Sequence, residues 1–168
     1  DVIVTRKLGA PGNPESGFGA IGPGGVRVLD RRSVQMLGLD EEQIDRIAAR
    51  EQEELDRRMR EYRGQRSGPR IEGRTVIVVD DGLATGGTAR AAVQTIRAGD
   101  PATLVLAVPV APPDAARQLA EEVDEMVCLE TPAVFMAVGQ WYRDFSQTTD
   151  EEVIELLSRA REQSECGQ

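Results

Sequence analysis

The sequence contains no histidine, a single lysine (Lys7), two cysteines and six aromatic residues in 168 positions. Each shortage removes a class of chemistry. Without histidine there is no imidazole general base, no Ser-His-Asp triad and no His-liganded metal. Cys128 and Cys166 are too few for a thiolate zinc cage and too far apart for a redox pair motif. Sparse cysteine suits the cytoplasm, the expected location. No apolar run approaches the roughly 18 residues needed to cross a bilayer. No basic stretch followed by a long apolar one opens the chain, so a leader is not expected.

Positive charge is scarce as well. The formal net charge is −9, which argues against general nucleic-acid binding. Residues 1–74 carry 14 basic and 13 acidic side chains, whereas residues 75–168 carry 6 and 16. Nineteen of the twenty cations are arginine, a bias that genomic base composition accounts for. The length fits one α/β domain with a real core, and 1–168 is read as a single domain.

Along the chain, residues 1–5 (DVIVT) predict a short buried strand. Residues 6–25 hold seven glycines and three prolines, a density that predicts a flexible loop. Residues 25–30 (GVRVLD) alternate like a half-buried strand. Asp40 and Gln43 form a capping box that opens a helix over 40–63. Its apolar stripe is Ile44, Ile47, Ala48, Leu55, Met59 and Tyr62. Glu42–Arg46, Glu53–Arg57, Glu54–Arg58 and Asp56–Arg60 stand at i,i+4, each worth only about 0.3–0.5 kcal/mol, and predict a solvated face. Residues 64–73 link onward.

The second half alternates strand and helix. Strands are expected at Thr75–Val79, Thr103–Val110 and Glu125–Leu129. Helices are expected at 87–98, with Ala89, Ala92, Val93 and Ile96 inward and Gly99 at the C-cap, and at 114–123, capped by Asp114. Near-continuous Val/Ile/Leu in the strands predicts a parallel sheet with helices on both faces. Thr149 and Glu152 form a second capping box, starting a terminal helix to about Ala160.

Chemistry concentrates in residues 76–88, VIVVDDGLATGGT. A buried strand ends in Asp80 and Asp81, a small-residue loop follows, and a helix begins. Open α/β sheets bind ligands beyond the carboxyl end of a strand, at a helix N-terminus. Gly82, Gly86 and Gly87 allow tight folding and close approach to a ligand. Thr85 and Thr88 add hydroxyls beside the first-turn amides, a set of donors suited to phosphate. The two carboxylates would repel that phosphate. They suit sugar hydroxyls or an oxygen-coordinated divalent cation. Together the features match a ribose 5-phosphate. A nucleotide P-loop is excluded, because Thr88 follows Gly87 with no lysine between. A receiver domain is excluded too: strand Thr103–Val110 ends in APP rather than an acid, and Lys7 lies upstream.

VIVVDDGLATGGT resembles the PRPP-binding signature of type I phosphoribosyltransferases, and its ATGGT is closest to the adenine-type branch. DVIVTRKLGAPGNPE also resembles the start of an uncharacterised bacterial branch of that family, and the likeness extends over roughly residues 1–160. It implies an α/β fold, three-layer α/β/α, with a mostly parallel sheet and one antiparallel strand. It implies that Asp80 and Asp81 hold the ribose hydroxyls and that Ala84, Thr85, Gly86, Gly87 and Thr88 wrap the 5-phosphate. Magnesium would enter on the pyrophosphate. Residues 6–25 fall where the family has a lid loop, and Arg6 and Lys7 become the catalytic pair stabilising pyrophosphate charge.

Two departures stand beside the likeness. The family carries, ahead of the segment matching residues 1–5, a mid-sheet strand with a pyrophosphate-binding loop. No counterpart is found here, so the chain is expected to lack that first strand. The general base is also unassigned, since Ala84 replaces one branch's acid and Glu15 is the only acid within the lid. Four of the six aromatic residues (Phe135, Trp141, Tyr142, Phe145) fall in residues 131–168, the C-terminal segment and helix. Trp141 is the candidate for stacking on a base, although these rings also suit packing of the terminal helix. The expected activity is transfer of ribose 5-phosphate from PRPP to a nucleobase or related nitrogen acceptor, a pentosyltransferase of nucleotide metabolism. The competing expectation is a non-catalytic PRPP or nucleotide sensor. Neither nucleic acid nor membrane is an expected partner, and a homodimer is left open.

Overall fold

Glycine density in residues 6–25 serves packing. The computed structural model describes all residues except 65, 67 and 166–168, and omits the side chains of 14, 15, 164 and 165. Cys166 and the Glu15 carboxylate therefore lie outside the described part. The expected lid loop is an antiparallel hairpin of β1 (Arg6–Ala10) and β2 (Asn13–Gly22). Leu8, Phe18 and Ala20 are completely buried within it. A Cβ at Gly19 would stand 2.3 Å from the Val28 carbonyl oxygen, and one at Gly22 2.5 Å from Thr95 Oγ1. Glycine is needed there because another backbone or helix comes too close for any side chain.

β3 (Val26–Leu29) pairs antiparallel with β2, Ala20 facing Val28. Strand alternation divides this sheet's two faces. Leu8 and Ile21 point to one side, where they join Ile44, Leu55 and Tyr62 of α2 (Glu41–Arg63). Ala20 and Val28 point to the other and meet Ala91 of α3 (Gly87–Arg97). Between β3 and α2 the chain forms a short helix that sequence reading missed, α1 (Arg31–Leu37). Asp30 caps it by accepting from the Arg32 and Ser33 amides.

The Asp40–Gln43 capping box forms as expected, with bonds of 2.8 and 3.1 Å. The charges of α2 are less solvated than expected. Glu42–Arg46 and Glu54–Arg58 pair at 3.8 and 3.0 Å, but Arg57 turns to Glu54, Glu61 and Asp150. Asp150 begins α5 (Asp150–Glu165) and also accepts a short bond from Tyr62. These contacts form a seam between two helices rather than a free polar face. The Thr149–Glu152 capping box is present as well.

β4 (Thr75–Val79), β5 (Thr103–Val110) and β6 (Glu125–Glu130) form a parallel sheet in the order β4-β5-β6. Leu104, Leu106 and Val108 pack against Ala89, Val93 and Ile96 of α3 and against Ala115 and Leu119 of α4 (Pro113–Ala120). Pro112, not Asp114, is the N-cap of α4, and Asp114 pairs instead with Arg117. The prediction of helices on both faces fails for this sheet: Ile77, Val79 and Leu129 are 61%, 73% and 74% exposed. The α/β/α layering is built around the antiparallel sheet, with α2 and α5 on one side and α3 on the other.

Residues 1–5 are not a strand. They run without ladder partners, Val4 buried beside α2, and Arg63 donates to the Val2 carbonyl at 3.0 Å. A groove of about 400 Å³ separates them from β4. No helix among the described residues is long and apolar enough to cross a membrane.

Candidate functional site

The turn from β4 to α3 is anchored at three points. The Leu83 amide donates to the Val110 carbonyl at 3.0 Å and its side chain is buried. Gly82 is packed so closely that a Cβ would meet Val138 at 2.8 Å and the Val110 carbonyl at 3.1 Å. Gly86, at φ +75°, is the N-cap of α3, and no side chain caps that helix. The first-turn amides are therefore left for a ligand, at the positive end of an 11-residue helix. Thr85 and Thr88 flank them.

Asp80 and Asp81 follow β4 directly, beside that turn. The Asp81 amide donates to Asp80 Oδ1 at 3.0 Å. Burial pushes the Asp80 carboxyl above its usual pKa; that amide bond opposes the shift, and the neighbouring Asp81 charge adds to it. Partial desolvation raises Asp81 as well. Both carboxylates hold their charge at a cost, which cationic or hydroxyl partners would relieve.

Two hollows meet at this turn. A cavity of about 590 Å³ runs from Gly82–Thr88 to the β1–β2 hairpin and the start of α1. Thr88 lines both this cavity and the 400 Å³ groove, and Asp80 opens onto the groove. The predicted basic pair is split. Lys7 lines the cavity, whereas Arg6 makes a two-pronged ion pair with Glu51 of α2 at 2.9 and 2.7 Å. The reason is the period of two in a strand: adjacent side chains leave on opposite faces. Lys7 pairs with Ala20 on the α3 side, and Arg6 with Ile21 on the α2 side.

Trp141 lines neither hollow. It stacks on Phe135 at 6.3 Å between ring centroids. Its neighbour Tyr142 has the closer link to the site: its hydroxyl donates to the Asp81 carbonyl at 2.6 Å. Sequence reading missed this role, although the cluster of aromatic residues marked the segment. It also missed Arg31, Arg32 and Arg90, which share the cavity wall with Lys7. Two arginines directly after Asp30 were the available signal.

Three likenesses bear on this geometry. A crystal structure of TT1426 from Thermus thermophilus superposes with a TM-score of 0.71 at 42% identity, covering 94% of this chain and 74% of that one. Two curated proteins of Mycobacterium tuberculosis, from strains CDC 1551 / Oshkosh and ATCC 25618 / H37Rv, carry the provisional name phosphoribosyl transferase. Each is 48% identical over 168 residues, 99% of this chain. The chain spans 38% of the length of these relatives. The sequence profile of the phosphoribosyl transferase domain matches residues 28–145, a stretch that includes β4, the diacid and the uncapped start of α3. By this match over most of its length, and by the turn that lies within it, the chain belongs to the phosphoribosyl transferase domain family.

Proposed function

We propose that the protein transfers the 5-phosphoribosyl group of PRPP to a nitrogen acceptor and releases pyrophosphate. The observation that carries this is the uncapped N-terminus of α3, flanked by Thr85 and Thr88 and set beside the Asp80–Asp81 pair. Amides and hydroxyls of Ala84–Thr88 receive the 5-phosphate. The carboxylates of Asp80 and Asp81 accept hydrogen bonds from the ribose hydroxyls, which suits groups whose charged form is penalised by burial.

The acceptor nitrogen forms a bond to the anomeric carbon as the bond from that carbon to the pyrophosphate oxygen breaks. The electron pair leaves on pyrophosphate, and Lys7, on the cavity wall, meets part of the growing negative charge. Magnesium fits the chemistry of this donor set. The paired carboxylates are hard oxygen donors, and no cluster of three acidic, histidine or cysteine side chains forms a resident metal cage among the described residues. A magnesium ion held through the diphosphate would neutralise leaving-group charge when bound.

A PRPP-sensing protein of the same fold is the second reading. It is favoured by one observation: of the expected basic pair only Lys7 reaches the cavity. Calorimetry and pyrophosphate release on the full-length protein separate the two. The transferase binds ribose 5-phosphate and PRPP with Mg²⁺, loses both with Thr88→Val and Asp81→Ala, and releases pyrophosphate with a nitrogen base. Binding without release across a broad panel of bases establishes the sensor. No binding of ribose 5-phosphate overturns both.

A further inference from the structure

The wall of the 590 Å³ cavity opposes the rest of the chain in charge. In a protein of net charge −9, this wall carries Lys7, Arg31, Arg32 and Arg90, and Asp30 is its single acid among the described residues. Asp30 is already engaged. Its Oδ1 accepts from the Arg32 and Ser33 amides and its Oδ2 from the Ser33 hydroxyl, which holds its pKa below the usual carboxylate value against its own partial burial. Arg90 is engaged too, with Glu122 at 2.5 Å. Arg31 and Arg32 differ: no carboxylate forms a salt bridge with either guanidinium among the described residues.

Their position runs against local preference. Arg31 and Arg32 occupy the first turn of α1, which holds no acid. The positive end of a helix disfavours cations there. Asp30, the N-cap, places one carboxylate at that end and attracts Arg32, so one acid stands against two guanidiniums on the cavity wall. A bound anion would relieve the mutual repulsion of the two arginines.

We propose that Arg31 and Arg32 bind an acidic group on the acceptor, so that the substrate is an anionic nitrogen heterocycle and not a neutral base. This rests on assigning the β4–α3 turn to the ribose 5-phosphate. The phosphate takes the uncapped amides of α3, the leaving group takes Lys7, and the arginines at the start of α1 remain for a third anion in the same cavity. Guanidinium groups suit carboxylates through paired, parallel hydrogen bonds.

The test compares matched acidic and neutral ligands on the full-length protein: nicotinate against nicotinamide, and orotate against uracil, each with and without ribose 5-phosphate. At least one acid is expected to bind about tenfold more tightly than its neutral partner, the scale of a charge-assisted pair. The gap closes in Arg31→Gln/Arg32→Gln and reverses in Arg31→Glu/Arg32→Glu. Arg27→Gln, which removes a cation paired with Asp45 on the α2 side, keeps the preference. Both Arg31 and Arg32 are exposed, and the far-ultraviolet dichroism of each variant reports the fold independently. Equal binding of acid and neutral partners, no saturable binding by any of the four, or a gap that survives both double variants overturns the proposal. So does a double variant that weakens inorganic pyrophosphate alone, which would reassign these arginines to the leaving group. Ribose 5-phosphate is titrated separately. Its failure to bind strikes the transferase reading, while its retention beside unselective base binding strikes only this one.

Discussion

The phenolic oxygen of Tyr142 donates a 2.6 Å hydrogen bond to the main-chain carbonyl of Asp81, 61 residues earlier in the chain. The segment after β6 thus holds the backbone of the diacid turn at Asp81. Val138 fills the space that a side chain at Gly82 would need, and Phe145 packs on the Tyr142 ring at 5.3 Å. If Asp81 holds the ribose as proposed, Tyr142 acts on the ligand by positioning that residue. Tyr142→Phe keeps the ring and removes one bond worth about 0.5–1.5 kcal/mol. Affinity for ribose 5-phosphate is expected to fall by roughly two- to tenfold, with the melting temperature lowered by about 2–4 °C per kcal/mol lost. Calorimetry beside a thermal melt checks both, and unaltered affinity removes the role.

Arg6 and Lys7 should part company under mutation. Arg6→Gln breaks the pair with Glu51, whose side chains are only 28% and 21% exposed, and should cost about 1–2 kcal/mol of stability with ligand affinity intact. Lys7→Gln, on the cavity wall, should weaken PRPP binding. A result in which Arg6→Gln abolishes PRPP binding in a folded protein would return Arg6 to the site.

Gly19→Ala tests the hairpin. The new methyl would sit 2.3 Å from the Val28 carbonyl oxygen, inside contact distance with backbone that cannot swing away. Overpacking of this kind costs roughly 1–3 kcal/mol or more. Denaturant unfolding is expected to show the loss. A mobile loop at 6–25 would tolerate alanine without change.

Acid should undo the seam between α2 and α5. Hydrogen bonding to Arg57 brings the Glu54 carboxyl from 4.5 to about 2, and Asp150 is lowered by Tyr62 and then Arg57. Both pKa values lie lower in the folded state than in the unfolded one. Their contribution is therefore complete above the unfolded value and lost as pH falls through the folded value. Stability should decline between about pH 4.5 and 2. In Glu54→Gln that decline becomes shallower, measured by urea midpoints across the range.

Asp80 carries the opposite sign. Burial holds its folded pKa above the usual 3.8, so the folded state binds the proton more tightly. Its effect favours folding below 3.8 and turns against it as pH rises through the folded value. Asp80→Asn should accordingly raise the urea midpoint at neutral pH while abolishing ribose 5-phosphate binding. The advantage in stability should vanish in acid. An asparagine variant that is less stable at pH 7 would show that the charge has an unseen partner.

The local rules were legible in the residues. Capping boxes at Asp40–Gln43 and Thr149–Glu152, the β4–β6 strands and the diacid turn all depend on neighbours within a few positions. A string of letters records such neighbours directly. Which face a residue uses is a tertiary matter. Glycine in residues 6–25 suited a loop equally well, because sequence does not show that Val28 and Thr95 press against Gly19 and Gly22. Likewise the adjacency of Arg6 and Lys7 hid their separation, since a strand sends them to opposite sides and only the packed α2 and α3 define those sides. The open face of β4 and β6, the hold of Tyr142 on Asp81 and the arginine wall of α1 each join parts far apart in the chain. Folding decides these, because burial and hydrogen bonding act through space.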